Sequence, residues 1–493
     1  MKFTGEATGC AGLPPARRMY LRYIVRATGQ RWPGGRLVAA AFLRRLVTVP
    51  KTGRPRSRIE LLLSPIADVR REEAGSALLM TLLMFLLLAA YYQLKTAREV
   101  FILSGGGAEV KSYSSAGQAL LLLVLVPAYG AFASRVSRIR LVRGVTLFFV
   151  LNLLVFVAAV RAGFNVGIVY FLWVGIFNLM AIAQFWAFAS DLYSKEQGRR
   201  LFPLIGVGSS LGAWVGSMRA GELMTTSGPT RLLIGAAVTL TVCAFLPQIV
   251  ERLTARDTTA EEVAVADQPV GGPGGFTLIG QDRYLMLIAL LMVLLNVVNT
   301  TGEYLFGRYV VAEAVAKFGA DAAAAASRER FIGETYSRLF STVNLVGFLL
   351  QMFVVSRLFK FLGVGKSLFI HPCVAALGYL VFLRAPSIQL MGALKVADNS
   401  LDYSLGNTTK QALWLPTSRE AKYKAKQAVD SFFVRMGDVF SAGIVWIGER
   451  LVLTIPAVAG VALALTAGWI AVVAMLNINL ARKEKTQPTE ARL

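Results

Sequence analysis

Long apolar stretches alternate with short polar, mostly basic ones from about residue 74 almost to the end of the chain. Each apolar stretch is near the ~20 residues that a helix needs to cross the hydrocarbon of a bilayer. The pattern predicts about six spans in succession, near 74–97, 115–134, 141–160, 165–191, 200–221 and 231–250. It then stops. Residues 252–275 carry Asp257, Glu261, Glu262 and Asp267 and close on Gly271-Gly272-Pro273-Gly274-Gly275, with no apolar period. A stretch of that kind reads as a polar, flexible linker. About six more spans follow, near 284–307, 331–355, 363–383, 387–413, 426–449 and 454–480. The expected organisation is a basic extension at 1–72, a first six-helix bundle at 73–251, the linker at 252–275, a second bundle at 276–481 and a tail at 482–493.

Short loops carry the basic residues that orient such a chain. Arg135, Arg138, Arg140 and Arg143 follow span two; Lys195, Arg199 and Arg200 follow span four; Arg357, Lys360 and Lys366 follow span eight; Arg419, Lys422, Lys424 and Lys426 follow span ten. All fall on the side of both termini and the linker, which is therefore expected to be cytoplasmic. The two halves also repeat one another. Thr96-Ala97-Arg98-Glu99 ends span one as Thr300-Thr301-Gly302-Glu303 ends span seven. Ser134-Arg135 and Ser356-Arg357 follow spans two and eight, and Ser194-Lys195-Glu196 and Ser418-Arg419-Glu420 follow spans four and ten. Matches at equivalent places predict two pseudo-symmetric halves. The plan resembles that of the major facilitator superfamily, which implies an all-α membrane protein of twelve transmembrane helices in two six-helix halves.

Composition agrees with the pattern. The chain of 493 residues is 55% hydrophobic and 16% charged, with mean hydropathy +0.56, beyond the range of ordinary soluble domains. Net charge is +23. Much of it lies before residue 72, in a run from Arg17 through Arg58 that includes Arg22, Arg31, Arg44 and Arg54. Three readings of that extension stand: a disordered basic arm, a transit-like segment, or an upstream start. A basic block beside membrane helices fits the anionic cytoplasmic leaflet, and no aromatic-and-basic pattern accompanies it to suggest nucleic acid. Cys10, Cys243 and Cys373 have no metal-ligand spacing. No nucleophile elbow or zinc motif is present, so an enzyme is not expected. Gly206-Val207-Gly208-Ser209-Ser210-Leu211-Gly212 follows no strand and reads as close helix packing rather than a nucleotide loop.

Candidate chemistry lies in charges inside the spans, where they are expensive. Lys95, Arg98 and Glu99 share one face of span one at i, i+3, i+4. They read either as a substrate site or as residues that snorkel to the interface. In span ten Lys395, Asp398 and Asp402 share a face and read either as a coupling site or as a mutual structural pair. Lys410 has no acid within one turn and is the better anion ligand. Span seven offers Asn296, Asn299 and Glu303, span four Asn178, Gln184 and Asp191, and span eleven Asp430, Arg435 and Asp438. Asp191 stands near the end of its span, as a site acid or an exposed loop acid. His371 reads as a packed or hydrogen-bonded residue before a proton relay.

Five stretches carry a more particular resemblance. They are Lys95-Thr96-Ala97-Arg98-Glu99, Phe185-Trp186-Ala187-Phe188-Ala189-Ser190-Asp191, Gly198-Arg199-Arg200-Leu201-Phe202-Pro203-Leu204-Ile205-Gly206, Thr409-Lys410-Gln411-Ala412-Leu413-Trp414-Leu415-Pro416 and Lys422-Tyr423-Lys424-Ala425-Lys426-Gln427-Ala428-Val429-Asp430. In order and interval, over roughly 74 to 480, they resemble the ATP/ADP translocase family of plastids and intracellular bacteria. The resemblance implies a carrier of a bacterial inner membrane, acting as a monomer without cofactor, that exchanges nucleotides or a related phosphorylated anion. It also implies that Lys95, Glu303 and Lys410 are the intramembrane site charges. Arg98, Asn299 and Arg435 join them as expected substrate ligands, and Glu99, Asp191, Lys395, Asp398, Asp402 and Asp430 as expected coupling or gating charges. Glu99 and Asp438 depart from what an anion path needs. A proton-coupled carrier of another solute and a non-transporting sensor or assembly partner are the alternatives.

Overall fold

A computed structural model describes residues 69–70, 72–133, 138–253, 274–384, 387–418 and 420–486. All regular structure among them is helical. The basic extension, most of the expected linker and the end of the tail lie outside the described residues.

The first helix, α1 (Ala74–Ala133), is 60 residues long and contains one non-helical residue, Gly107, at φ 76°. On a straight helix Glu99 and Lys111 would stand roughly 18 Å apart at about 1.5 Å of rise per residue. Lys111 Nζ instead lies 2.7 Å from Glu99 Oε2. The chain therefore turns back at Gly107, where a positive φ is open to glycine without steric cost. α1 thus supplies both of the first two predicted spans, as two arms. The second arm starts directly after Gly107 rather than near 115, because Lys111 and Ser112 are buried on helix instead of lying in a loop.

α2 (Arg138–Arg161), α3 (Gly167–Leu192), α4 (Lys195–Ser227) and α5 (Pro229–Leu253) complete the N-terminal half. The C-terminal half opens with a short α6 (Gly275–Gln281) and continues with α7 (Arg283–Phe318), α8 (Ala325–Phe353), α9 (Val355–Ser367) and α10 (Ile370–Phe382). α11 (Ile388–Leu401) and α12 (Asn407–Ala412) are joined by a π-helical turn at Asp402–Gly406. Two more π turns, Ala421–Ala425 and Val429–Phe433, lead into α13 (Val434–Arg450), and α14 (Ile455–Thr486) ends the chain.

Eight helices among the described residues are long and apolar enough to cross a membrane, or nine if the bent pair α8 and α9 is one span. That tally counts the folded α1 once, omits the 13-residue α10, and omits the broken α11–α12. The basic stretch after span eight, expected as a loop, is the helix α9, bent 74° from α8. Val355 is buried while Arg357 and Lys360 face outward, and the helix breaks at Gly363, at φ 72°, before Ser367.

Helices in a bilayer associate through close packing rather than through escape from water, so small residues mark their contacts. α4 shows this against the first arm of α1. A Cβ on Gly208, Gly212 or Gly216 would come within 2.5, 2.2 or 2.4 Å of the carbonyl oxygens of Thr81, Phe85 and Ala89. The glycine-rich motif of span five is therefore a helix contact, and its three pairings advance together, so α4 runs parallel to that arm. Gly212→Ala forces the two backbones apart and is expected to destabilise by about 1–3 kcal/mol as an overpacking change. Thermal unfolding of the purified variant against Gly206→Ala, whose Cβ meets nothing within 4 Å, measures this; equal stabilities would contradict it.

The parallel run of α4 and the fold-back of α1 define two faces of the bundle. Turns at Gly107, Gly228 and Gly319 lie on one, hereafter the Gly107 face, and the starts of α1, α4 and α7 lie on the other. α7 reaches the Gly107 face as well: a Cβ on Gly307 would lie 3.3 Å from that of Ala108.

Candidate functional site

The three charges of span one separate into two environments. Glu99 is 1% exposed and lies between Arg98, at 2.6 Å, and Lys111, at 2.7 Å. The Arg98 guanidinium also lies over the ring of Phe171, 4.6 Å from its centre. From the second arm of α1, Lys111 reaches into the other half of the molecule and meets Glu303 of α7 at 3.5 Å. Glu303 in turn pairs with Lys395 of α11 at 3.2 Å and accepts a hydrogen bond from Asn399 at 3.3 Å. Lys395 donates to Asn299 at 2.9 Å and pairs with Asp398 at 3.2 Å. Asp398 lies 3.1 Å from His371 Nε2, whose ring packs edge-on against Trp469.

The result is one unbroken chain of side chains from Arg98 to His371, alternating in sign as far as Asp398. Alternation is what permits it: a desolvated ion is tolerated when an opposite charge and hydrogen bonds replace its water. Glu99 and Glu303, which hold equivalent places in the two sequence repeats, converge on the single ammonium of Lys111. Lys111 is the residue that sequence reasoning missed. It sits among Gly105, Gly106, Glu109 and Ser112, which read as a polar loop. The signal available was the glycine triplet, since residues flanking a tight helical turn face one another.

Lys95 points elsewhere. Its ammonium is 3.4 Å from Tyr403 Oη and lies over the rings of Phe340, Tyr92 and Tyr403, at 4.2, 5.2 and 6.0 Å from their centres. Among the described residues no carboxylate lies within ion-pair distance of it. Tyr92 and Tyr403 line a cavity of about 220 Å³ between the halves, together with Ser209, Ser210, Asn344 and Gln351.

Hydrogen bonds and ion pairs that join the halves, among the described residues, gather at the level of Lys95 and beyond it towards the Gly107 face. Arg308 pairs with Glu109 at 3.3 Å, Tyr304 donates to the same Glu109, and Tyr113 donates to Glu449. Ser337 donates to the carbonyl of Ser217 at 2.5 Å, and Asn344 to its hydroxyl at 3.4 Å. Asn344 and Tyr403 make their ties at the edge of the cavity, and the others lie from it towards the Gly107 face.

Span ten does not present Lys395, Asp398 and Asp402 as one group. Asp398 stays with Lys395, whereas Asp402 pairs with Lys410 at 3.0 Å. The π turn between them is the reason: its wider turns shorten the rise and bring Lys410 back over an acid eight positions earlier. The expectation that Lys410 lacks a neighbouring acid therefore gives way to an ion pair. Span seven is divided likewise. Asn299 and Glu303 serve α11, while Asn296 donates to Asp438 at 2.9 Å and to the carbonyl of Val434. Asp438 also accepts from Thr300 at 3.0 Å and faces Arg435 at 3.5 Å, so its charge is absorbed locally rather than offered to a path. Gln184 donates to Tyr129. Asp191, at the end of α3, and Asp430, on the last π turn, are exposed. No group of three or more His, Cys, Asp or Glu among the described residues is placed to hold a metal ion.

No family model matches the sequence, and no curated protein does. Solved structures do resemble the fold. A bacterial homologue of the iron transporter ferroportin, in an inward-facing state, is 14% identical and aligns over 82% of this chain and 98% of its own at a TM-score of 0.57. A mutant of the nucleoside transporter NupG is 14% identical and aligns over 82% of this chain and 99% of its own at a TM-score of 0.51. The chain is thus an all-α, multi-pass membrane protein with the two-half architecture of the major facilitator fold.

Proposed function

We propose that this protein is a secondary transporter that exchanges nucleotides of the ATP and ADP kind, or a related phosphorylated anion, by rocking its two halves in alternating access. The observation that supports this reading is Lys95. Every other cation of the central network has an acid partner, while Lys95 holds its charge against aromatic rings beside a cavity between the halves. An anion is the species that completes such a position, and aromatic walls suit a base stacked above it. Lys410 and Arg435 are further proposed ligands, each exchanging its present acid partner for phosphate oxygens. In this reading α1, α10 and α11–α12 bring the passes to twelve, the termini face the cytoplasm, and the carrier works as a monomer in the inner membrane without a cofactor.

Reconstitution tests it. Labelled ATP is expected to enter liposomes only when ADP or a related anion is preloaded. Uptake driven by a pH gradient without a countersubstrate would instead favour a proton-coupled carrier acting through Glu303 or Asp398. Absence of flux for any anion, with a stable copurifying partner, would favour a sensor or assembly role.

A further inference from the structure

We infer that the outer side of the C-terminal half carries a binding site for an anionic phospholipid, between α8 and α11 near the Gly107 face. A cavity of about 350 Å³ opens there, lined mostly by apolar residues of both helices, with Thr335, Thr342 and Gln389 among them, and by Phe306 of α7. That volume is at the lower end of pockets that hold small ligands, about 300–1,000 Å³. Two cations border it, Arg338 and Lys317.

Helical spacing says which way the cavity looks. On α8 the residues that touch the N-terminal half include Gly333, Tyr336, Ser337, Phe340 and Asn344. At about 100° per residue, Phe331, Thr335, Arg338 and Thr342, which line the cavity, fall on the opposite side of the helix. Farther along that same side Leu349 and Phe353 are exposed apolar residues, as a lipid-facing surface requires. The cavity therefore faces the bilayer and not the central path.

Arg338 is the anomaly that calls for an occupant. It stands midway along a membrane helix, exposed on the lipid side, and makes no ion pair among the described residues. A guanidinium left so in hydrocarbon is costly, and its relief is to reach along the helix for a phosphate. Side chains on a helix lean towards its N-terminus, which for α8 is the Gly107 face, the side on which Lys317 sits. Lys317 lies over the ring of Phe331 at 4.7 Å and shares its charge with Glu313 at 3.1 Å, so Arg338 is the principal anchor. The groove supplies the apolar bed for an acyl chain and the two cations supply the complement to the headgroup. Its far wall is the helix that bears Lys395 and Asp398, so an occupied groove props α11 against α8 at the level of the central charge chain.

The full chain in detergent is titrated with phosphatidylglycerol, with phosphatidylcholine of the same acyl chains, or with inorganic phosphate. Bound lipid is counted by native mass spectrometry, and apparent melting temperature is followed in parallel. Phosphatidylglycerol is expected to be retained about fivefold better than phosphatidylcholine, the effect of one basic residue at a membrane surface, and to raise the melting temperature. Phosphate alone is expected to do nothing, Arg338→Ala to remove the preference, and Arg338→Lys to keep most of it. Equal retention of the two lipids by the unaltered protein overturns the assignment, as does an undiminished preference in Arg338→Ala. A stabilisation by phosphate that equals that by phosphatidylglycerol and is lost in Arg338→Ala also overturns it. The comparison of lipids on the unaltered chain stands by itself should a variant prove unstable.

Discussion

Lys95→Ala is expected to weaken nucleotide binding by roughly ten- to a hundredfold, the loss of one charge-assisted contact at about 1.5–3 kcal/mol, while leaving the fold intact. The two halves of that expectation have one cause. Because the ammonium has no acid partner among the described residues, its removal strands no buried carboxylate; what goes is its placement against Phe340 and Tyr92. Lys95→Arg keeps the charge but not the compact head, and is expected to fall between. Nucleotide-dependent thermal shift and isothermal titration of the purified variants read binding, and melting without ligand reads stability. Unchanged affinity in Lys95→Ala would remove Lys95 from the site. A collapse of stability with it would mean that the residue is structural.

Glu99→Gln is the opposite case. Its carboxylate is 1% exposed between Arg98 and Lys111. Neutralising it leaves two buried cations to face each other across an amide, and breaking a buried pair from one side costs about 3–5 kcal/mol. The expected outcome is poor recovery of folded protein and a much lowered unfolding midpoint. Adding Lys111→Met to Glu99→Gln removes one of the stranded charges and is expected to restore a substantial part of the loss, the signature of coupled sites. A single variant within about 0.5 kcal/mol of the parent, the usual range for surface changes, would show that the network does not carry the stability assigned to it.

Membrane class and two-part plan were legible in the chain because they rest on hydropathy over ~20-residue windows and on charge in short loops, signals that do not depend on distant contacts. Pairing within the site was not. Lys395 and Asp398 sit three apart on one turn and find one another as spacing says. Asp402 and Lys410 do so only because a π turn intervenes, and nothing in Asp402-Tyr403-Ser404-Leu405-Gly406 announces that geometry. Lys111 was hidden for another reason. Its polarity matched that of a loop, and its partners, Glu99 and Glu303, lie across a reversal and across the two halves. Likewise, the stretch between spans eight and nine carries Arg357 and Lys360 and too little apolar length to register as a span, although it is helical in α9 as far as the break at Gly363.

In the alternating access proposed above, Lys111 ties Glu99 to Glu303 only while the Gly107 face is shut. Parting the halves there divides the ledger of charge unequally: Arg98, Glu99 and Lys111 leave the N-terminal half at +1, and Glu303, Lys395 and Asp398 leave the C-terminal half at −1. Opening thus creates a dipole where there was none, and Lys95 enlarges its positive pole. On the proposed function, a multivalent anion seated against Lys95 would cancel that pole, so the loaded protein would open against a smaller electrostatic barrier than the empty one. An empty carrier that cannot readily turn over is the requirement for strict one-for-one exchange.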